Sequence, residues 1–188
     1  MRIILASKSP RRRELLSKIY RDFEIIVSDA DETLPVGISP SDCTEEIALR
    51  KGAAVASEVG TEALVISSDT IVEIDGVILG KPKSTDDARR MLTMLSGRVH
   101  NVHTAVAVHY RGRVFSGVDT TRVEFRELTP EEIDAYIATD EPMDKAGAYG
   151  IQARGGAFVR GYDGDFDTVV GLSLPLTKRL VEEAIKYE

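Results

Sequence analysis

Three consecutive arginines, Arg11 to Arg13, stand directly after Ser9 and Pro10 in the stretch LASKSPRRREL. Serine is a preferred N-cap and proline suits the first helical position, so this pattern predicts a helix with the arginines in its first turn. Cations are disfavoured at that end of the helix dipole by roughly 0.3–1 kcal/mol each. A phosphate chain would bind there through backbone N–H groups and guanidinium groups. The alternative is a solvated basic face that carries a small, screened cost.

A single carboxylate, Asp69, follows an apolar run in VISSDTIVEIDG and is itself followed by Ile71 and Val72. A carboxylate in such surroundings is costly unless it is paired, hydrogen-bonded or bound to a metal ion. Asp69 could act as a general base or a metal ligand. It could equally be a structural aspartate that accepts hydrogen bonds from backbone N–H groups. The pattern alone does not distinguish these two interpretations.

Other charged side chains give weaker signals when each is taken alone. Asp29, Asp31 and Glu32 form an acidic cluster that could bind Mg²⁺ or Mn²⁺ through oxygen, although acidic loops are usually just solvated. Lys51 lies between apolar positions of a predicted helix, where an exposed lysine is the default. Lys81 follows a glycine in LGKPKS and could contact a phosphate, or it could be an ordinary surface lysine.

A glycine-rich stretch over residues 141–156, EPMDKAGAYGIQARGG, predicts a shaped loop. Lys145 offers it a positive charge, and the amide of Gln152 offers one acceptor and two donors. Such an amide can pair with the edge of a nucleic-acid base. The alternative is a glycine-rich turn that binds no ligand.

Several common kinds of site have no support in the sequence. LGKPKS is not a P-loop, because Gly76 and Gly80 enclose only three residues and Pro82 replaces the hydroxyl residue. No G-x-S-x-G nucleophile elbow occurs. His100 and His103 point to opposite faces of a predicted strand, which makes them a poor zinc pair.

Composition restricts the class of protein further. The 188 residues suit a single domain over residues 1–188, with room for two lobes, and 43% are hydrophobic, which is enough for a core. A net charge of −7 argues against a general nucleic-acid binder. The longest apolar stretches are too short to span a membrane. A single cysteine, Cys43, and the absence of a signal-peptide pattern favour the cytoplasm.

The elements that must position these residues alternate along the chain, which predicts an α/β fold. Predicted hairpins make the sheet mixed rather than wholly parallel. Strands are expected at residues 2–6 and 23–28, in ALVISSDTIVEIDGVIL and over 98–126; helices are expected after Ser9, at 41–58, after Ser84, after Thr129 and over about 175–187.

Local signals mark several turns and helix starts. A two-residue turn of the hairpin type is predicted at Asp75-Gly76, and the two long strands within 98–126 are predicted to join near Arg111-Gly112. Capping boxes are predicted at Ser84 with Asp87 and at Thr129 with Glu132.

Four blocks of the sequence resemble the Maf family of nucleoside triphosphate pyrophosphatases. They are LASKSPRRREL, SSDTIVEIDGVILGKP, MLSGRVHNVHTAV and EPMDKAGAYGIQ, and the resemblance runs in order from residue 3 to about residue 176. It implies a Maf/ITPase-like fold, an elongated, twisted mixed sheet flanked by helices, with two lobes around a deep cleft. It also implies hydrolysis of an NTP to NMP and pyrophosphate with Mg²⁺ or Mn²⁺. The detail is most similar to the branch that acts on dTTP and UTP.

The resemblance also implies roles for individual residues. Ser7, Arg11 and Arg12 match the phosphate-binding start of the first helix, and Asp69 matches the catalytic aspartate that accepts a proton. We expect Glu32 and Asp69 to hold the divalent cation.

Arg12, Thr70 and Gln152 match positions associated with pyrimidine selectivity. Further polar positions that the resemblance places along the cleft are Glu32, Lys51, Lys81 and Lys145.

The family name refers to arrest of septum formation, which keeps a second hypothesis open. The chain could be a nucleotide-sensing regulator that binds a cell-division partner, with slow or incidental hydrolysis. A modified pyrimidine nucleotide could also be the substrate, and hydrolysis would then keep it out of nucleic acid. A homodimer is a further expectation from the resemblance.

Overall fold

The computed structural model of the chain describes residues 1–186, which contain a seven-stranded sheet and six α-helices. The strands are β1 (Arg2–Leu5), β2 (Glu24–Ile25), β3 (Ala63–Ile74), β4 (Val77–Leu79), β5 (Val99–Tyr110), β6 (Arg113–Phe125) and β7 (Val159–Asp163). The helices are α1 (Pro10–Ser17), α2 (Pro40–Val59), α3 (Thr85–Leu95), α4 (Pro130–Ile137), α5 (Phe166–Val170) and α6 (Leu174–Lys186). Three 3₁₀ segments cover Glu141–Asp144, Ala146–Ala148 and Arg154–Phe158.

The sheet is mixed, as the hairpins predict, which confirms the α/β fold class. Its strand order is β2-β1-β3-β5-β6-β7, and β4 pairs with β3. β1 is parallel to β2 and β3, whereas the β3/β4 and β6/β7 pairs are antiparallel. Asp75, Gly76, Arg111 and Gly112 all have positive φ, as expected for two-residue turns of type I′.

The described residues form two compact units, and β3, β5 and β6 contribute residues to both. The first unit contains residues 1–70, 104–119 and the chain from Gly171 onward, and the second contains residues 71–103 and 120–170. The prediction of one domain over residues 1–188 stays a prediction. None of the helices within residues 1–186 is long and apolar enough to cross a membrane.

In the first unit, α2 packs on the sheet through small and β-branched side chains. Val55 of α2 packs with Ile4 and Val65 of the parallel strands. Ala48 packs with Ala105 and Ala107 of β5. Small side chains on both surfaces let the helix lie close to the sheet.

In the second unit, α3 and α4 pack on a core that includes several aromatic side chains. α3 buries Met91, Leu92 and Leu95, whose helical spacing places them on one face. α4 begins with the predicted capping box, because Thr129 and Glu132 each accept a hydrogen bond from the other residue's backbone N–H.

At the start of α3, only half of the predicted capping box forms. Ser84 Oγ accepts from the backbone N–H of Asp87, as expected. The carboxylate of Asp87 accepts instead from the N–H of Lys83, one residue before the cap. Aspartate is one methylene shorter than the glutamate that usually closes such a box.

Some predicted boundaries are wrong for identifiable reasons. The strand predicted at 23–28 is only two residues long, since β2 is an exposed edge strand that pairs with β1 alone. The segment predicted as a loop, residues 141–156, contains 3₁₀ turns. Their i to i+3 hydrogen bonds do not produce a recognisable apolar periodicity in the sequence. β7 and α5 are each five residues long and give no clear periodicity. The predicted helix end at residue 187 lies outside the described residues.

His100 makes the stability of the second unit depend on pH. It is buried, with Nε2 2.8 Å from the hydroxyl of Tyr149 and its ring edge-on to Phe125. Burial lowers the pKa of His100 to about 4. The unfolded chain, in which a histidine titrates near 6.5, therefore binds more protons between these pH values. We expect the free energy of unfolding to fall by about 3 kcal/mol as the pH drops from 6.5 to 4.

Urea unfolding at several pH values checks this expectation. His100→Gln should flatten the pH dependence, whereas His103→Gln, at a half-buried position, should keep most of it. Equal slopes for wild type and His100→Gln would contradict the assignment.

Candidate active site

The arginine-rich segment begins a helix, as predicted. Ser9 caps α1 by accepting the backbone N–H of Arg12 at 3.4 Å, and its own N–H donates to Ser7 Oγ at 3.2 Å. Pro10 is the first residue of the helix. Arg11 and Arg12 therefore lie in the first turn, where the dipole and backbone N–H groups favour an anion.

The side chain of Arg12 is half-buried and is held by neutral acceptors. Its Nε donates to the carbonyl oxygen of Gly171 at 2.8 Å, and its Nη2 donates to Thr70 Oγ1 at 3.2 Å. Burial lowers the pKa of Arg12 from its usual value, although the nearby carboxylates of Asp69 and Glu32 raise it. A guanidinium oriented by neutral groups keeps its charge available for an anionic ligand.

Side chains along β3 alternate between the two faces of the strand, so neighbouring residues make different contacts. Ser68 and Thr70 lie on one face, where Ser68 Oγ donates to the same Gly171 carbonyl at 3.1 Å. Thr70 Oγ1 lies 2.8 Å from Thr104 Oγ1. Ser68, Thr104 and Gly171 were not among the predicted site residues, although period-2 alternation through SSDT places Ser68 on the same face as Thr70.

On the other face of β3, Asp69 forms a buried ion pair with Lys51. Lys51 Nζ lies 2.6 Å from Asp69 Oδ1 and 3.1 Å from Glu32 Oε2. Lys51 and Asp69 are only 8% and 9% exposed, whereas Glu32 is exposed. The expectation of an exposed lysine at position 51 is wrong, because two carboxylates compensate its burial.

Close packing of α2 on β3 brings Lys51 to Asp69. Ser67, on the Asp69 face of β3, donates from Oγ to the carbonyl of Ala48 in α2 at 2.7 Å. A Cβ at Gly52 would lie 2.5 Å from the ring of His109 and 2.6 Å from Ser67 Oγ. Glycine at position 52 therefore permits a helix-to-strand approach that any larger residue would prevent.

The divalent cation expected from the sequence would need oxygen ligands, and two carboxylates of the first unit come close to each other. Asp69 and Glu32 converge on one point, the ammonium of Lys51. Mg²⁺ typically takes one or two carboxylates and completes its shell with water and substrate phosphates. Within residues 1–186, no group of three or more histidine, cysteine or acidic side chains is arranged to hold a metal ion. Any cation at this point would compete with Lys51.

The second unit carries the other three predicted contacts. Lys81 and Gln152 are exposed. Lys145 Nζ donates to the carbonyl of Glu141 at 2.7 Å and to Asp144 Oδ1 at 2.6 Å, so this ammonium also holds its own loop.

A backbone hydrogen bond brings two loops of the second unit together. The N–H of Gly147 donates to the carbonyl of Gly80 at 3.1 Å. The loop that carries Lys81 therefore lies against the loop that carries Lys145. The predicted residues Ser7, Arg11, Arg12, Glu32, Lys51, Asp69 and Thr70 all belong to the first unit.

A family model described as Maf-like protein matches residues 2–184. The chain belongs to this family. The Maf-like relatives include a protein of Bacillus cereus (strain AH187), 49% identical over 186 residues, which cover 99% of this chain and 95% of the relative. Another, from Bacillus cytotoxicus, is 47% identical over 187 residues, which cover 100% and 96%. Both are named dTTP/UTP pyrophosphatase. The family resemblance seen in the sequence is confirmed.

Solved structures confirm the fold over the whole length of this Maf-like chain. The Staphylococcus aureus Ham1 protein aligns with a TM-score of 0.53 at 18% identity and covers 100% of this chain and 95% of its own. A nucleoside-triphosphatase (dITP/XTP pyrophosphatase) of Mycobacterium abscessus aligns with a TM-score of 0.50 at 14% identity, covering 100% and 96%. At these identities the likeness extends to the fold alone.

Gly52→Ala tests the close packing that places Lys51. The added Cβ would overlap His109 and Ser67, and overpacking of this kind typically costs about 1–3 kcal/mol. We expect that loss in the free energy of unfolding, measured with urea. Ala53→Ser, at the next and exposed position of α2, is the control and should stay close to wild type. Unchanged stability in Gly52→Ala would contradict the packing argument.

Proposed function

We propose that this chain is a nucleoside triphosphate pyrophosphatase that hydrolyses dTTP and UTP to the monophosphate and pyrophosphate. Full-length relatives at 46–49% identity bear that name. One observation in the fold carries the proposal. Consecutive residues of β3 hold the oriented guanidinium of Arg12, through Thr70, and a buried carboxylate, Asp69. Asp69 and Thr70 point to opposite faces of β3, but the Asp69 carboxylate is near enough to raise the pKa of Arg12, so the anion-binding group and the candidate general base are neighbours.

The start of α1 supplies the proposed phosphate-binding groups. A nucleoside triphosphate carries about four negative charges, which suit a helix N-terminus reinforced by arginines. We assign Ser7, Arg11 and Arg12 to this role. The dipole cost of placing cations in the first turn is then offset by the substrate.

Asp69 is the proposed general base. Its carboxylate orients a water molecule, takes up its proton and directs the oxygen at the α-phosphorus. The bond between the α-phosphorus and the bridging oxygen to the β-phosphorus breaks, and pyrophosphate leaves with the electron pair. Lys51 fixes the carboxylate at 2.6 Å and limits its rotation. When Mg²⁺ or Mn²⁺ is bound, Asp69 and Glu32 would hold it, and it would neutralise phosphate charge.

The second unit carries its own proposed nucleotide contacts. Lys81 and Lys145 would contact phosphate oxygens as point charges. Gln152 would read the O4/N3 edge of uracil or thymine, whose donor and acceptor pattern cytosine reverses. The cytoplasmic location, the homodimer and activity on modified pyrimidine nucleotides also stay predictions.

Asp69→Asn tests the reaction together with the base. Wild type is expected to release pyrophosphate and NMP, without orthophosphate, mainly from UTP and dTTP in a panel of canonical and modified nucleotides with Mg²⁺ or Mn²⁺. Asp69→Asn should lower kcat on the order of 10²-fold or more, because an amide cannot accept the proton. Asp22→Asn, at an exposed position of the same unit, should leave kcat unchanged.

Two results would contradict these assignments. Near-normal turnover in Asp69→Asn would move the base elsewhere. Nucleotide binding by wild type without any hydrolysis would favour the regulator that binds a division partner. A nucleotide-dependent pull-down with Asp69→Asn then becomes the relevant experiment.

Gln152→Ala tests base recognition. Loss of the amide should reduce the ratio of kcat/KM for UTP to that for CTP by about tenfold or more, since rejection depends on polar groups left unpaired. Steady-state pyrophosphate release from both nucleotides measures the ratio, and Ala153→Ser at the next exposed position is the control. An unchanged UTP-to-CTP preference would show that Gln152 does not read the base.

A further inference from the structure

We propose that Glu141 and Tyr136 are positioning residues that set pyrimidine selectivity by holding residues 150–155, the segment that presents Gln152. This inference rests on the proposed function and on the base-reading role of Gln152. Neither Glu141 nor Tyr136 needs to touch the nucleotide for it to hold.

Hydrogen bonds fix both ends of this segment. Glu141 Oε1 accepts from the hydroxyl of Tyr136 at 2.8 Å and from the N–H of Gly155 at 3.3 Å. Glu141 Oε2 accepts from the N–H of Arg154 at 3.4 Å. The Tyr136 oxygen in turn accepts from the N–H of Gly150 at 3.3 Å. One carboxylate and one phenol thus hold the backbone on both sides of Gln152.

The phenol is anchored in the core of the second unit. Tyr136 lies on α4, is 4% exposed, and packs edge-on against Phe158 with ring centroids 4.9 Å apart. Burial, with a smaller contribution from Glu141, raises the pKa of Tyr136 above its usual value. The hydroxyl therefore stays protonated and donates to the carboxylate. A rigid element consequently determines where the segment lies.

The segment also closes on itself. The N–H of Ala153 donates to the carbonyl of Gly150 at 3.3 Å. A Cβ at Gly155 would lie 2.7 Å from the Tyr136 hydroxyl and 2.9 Å from the backbone of Gly150, so only glycine allows this approach. Gln152 is left exposed on a backbone that is bonded at four neighbouring positions.

Fixing this backbone matters more for selectivity than for catalysis. A glutamine amide has a donor end and an acceptor end, and a fixed backbone restricts the positions from which each end can reach the edge of a base. Uracil and cytosine differ by reversal of that pattern, so a free segment would accept both. The proposed attack on the α-phosphorus depends on Asp69 of the first unit and does not require this discrimination. The phosphate contact proposed for Lys145 is held by the backbone carbonyl of Glu141, which a change of the Glu141 side chain leaves in place.

Glu141→Gln and Tyr136→Phe test the proposal, with Glu131→Gln as the matched control at an exposed position of α4. Glu141→Gln replaces one acceptor oxygen with an NH₂ group that cannot accept an N–H. Tyr136→Phe removes the hydroxyl that bonds Glu141 and Gly150. Two quantities are measured in the full chain: kcat/KM for UTP and for CTP, and amide hydrogen exchange at Gly150, Arg154 and Gly155.

We expect both variants to exchange these amides faster and to lower the UTP-to-CTP ratio of kcat/KM by about tenfold, while kcat for UTP changes far less. Glu131→Gln should change neither quantity. Tyr136→Phe keeps the aromatic ring in the core, so this variant tests the proposal if Glu141→Gln does not fold. Faster exchange with an unchanged ratio, or unchanged exchange, would overturn the proposal. If Gln152→Ala also leaves the ratio unchanged, the base-reading role is what has failed, and amide exchange still reports on the hydrogen bonds themselves.

Discussion

The buried ion pair between Lys51 and Asp69 is the interaction on which the architecture of the first unit depends. Removing one partner of such a pair typically costs about 3–5 kcal/mol, because the other charge is left buried and uncompensated. The pair therefore requires α2 to lie close to β3, which in turn requires Gly52 and the bond from Ser67 to Ala48. The close packing of α2 on β3 thus fixes the position of the proposed general base.

One strand, β3, serves two sets of contacts because its side chains alternate. Ser67 and Asp69 face α2, whereas Ser68 and Thr70 face the Gly171 carbonyl and the guanidinium of Arg12. A slip of one residue in the pairing of β3 would exchange the two sets. The parallel register of β3 with β1 therefore fixes the faces on which the proposed site residues lie, as well as those of the core residues.

Features decided by neighbouring residues could be predicted from the sequence, and features decided by distant ones could not. The start of α1, the two hairpin turns and the capping box at Thr129 follow from local backbone preferences, and four motif blocks identified the family. The partners of Arg12 and Lys51 come from remote segments that periodicity does not connect. Short strands such as β2 and β7 form because they pair at the edges of the sheet. Their own amino-acid composition gives little indication of that pairing.

The bond from Arg12 to Gly171 spans 159 positions of the chain. A nascent polypeptide that has already made α1 and β3 still lacks the carbonyl that orients this guanidinium. The arginine can take its final position only when nearly all of the protein has been synthesised. Contacts between residues so distant in sequence raise the contact order, which lowers the folding rate. Truncated or stalled chains would thus carry the arginine motif without the oriented guanidinium.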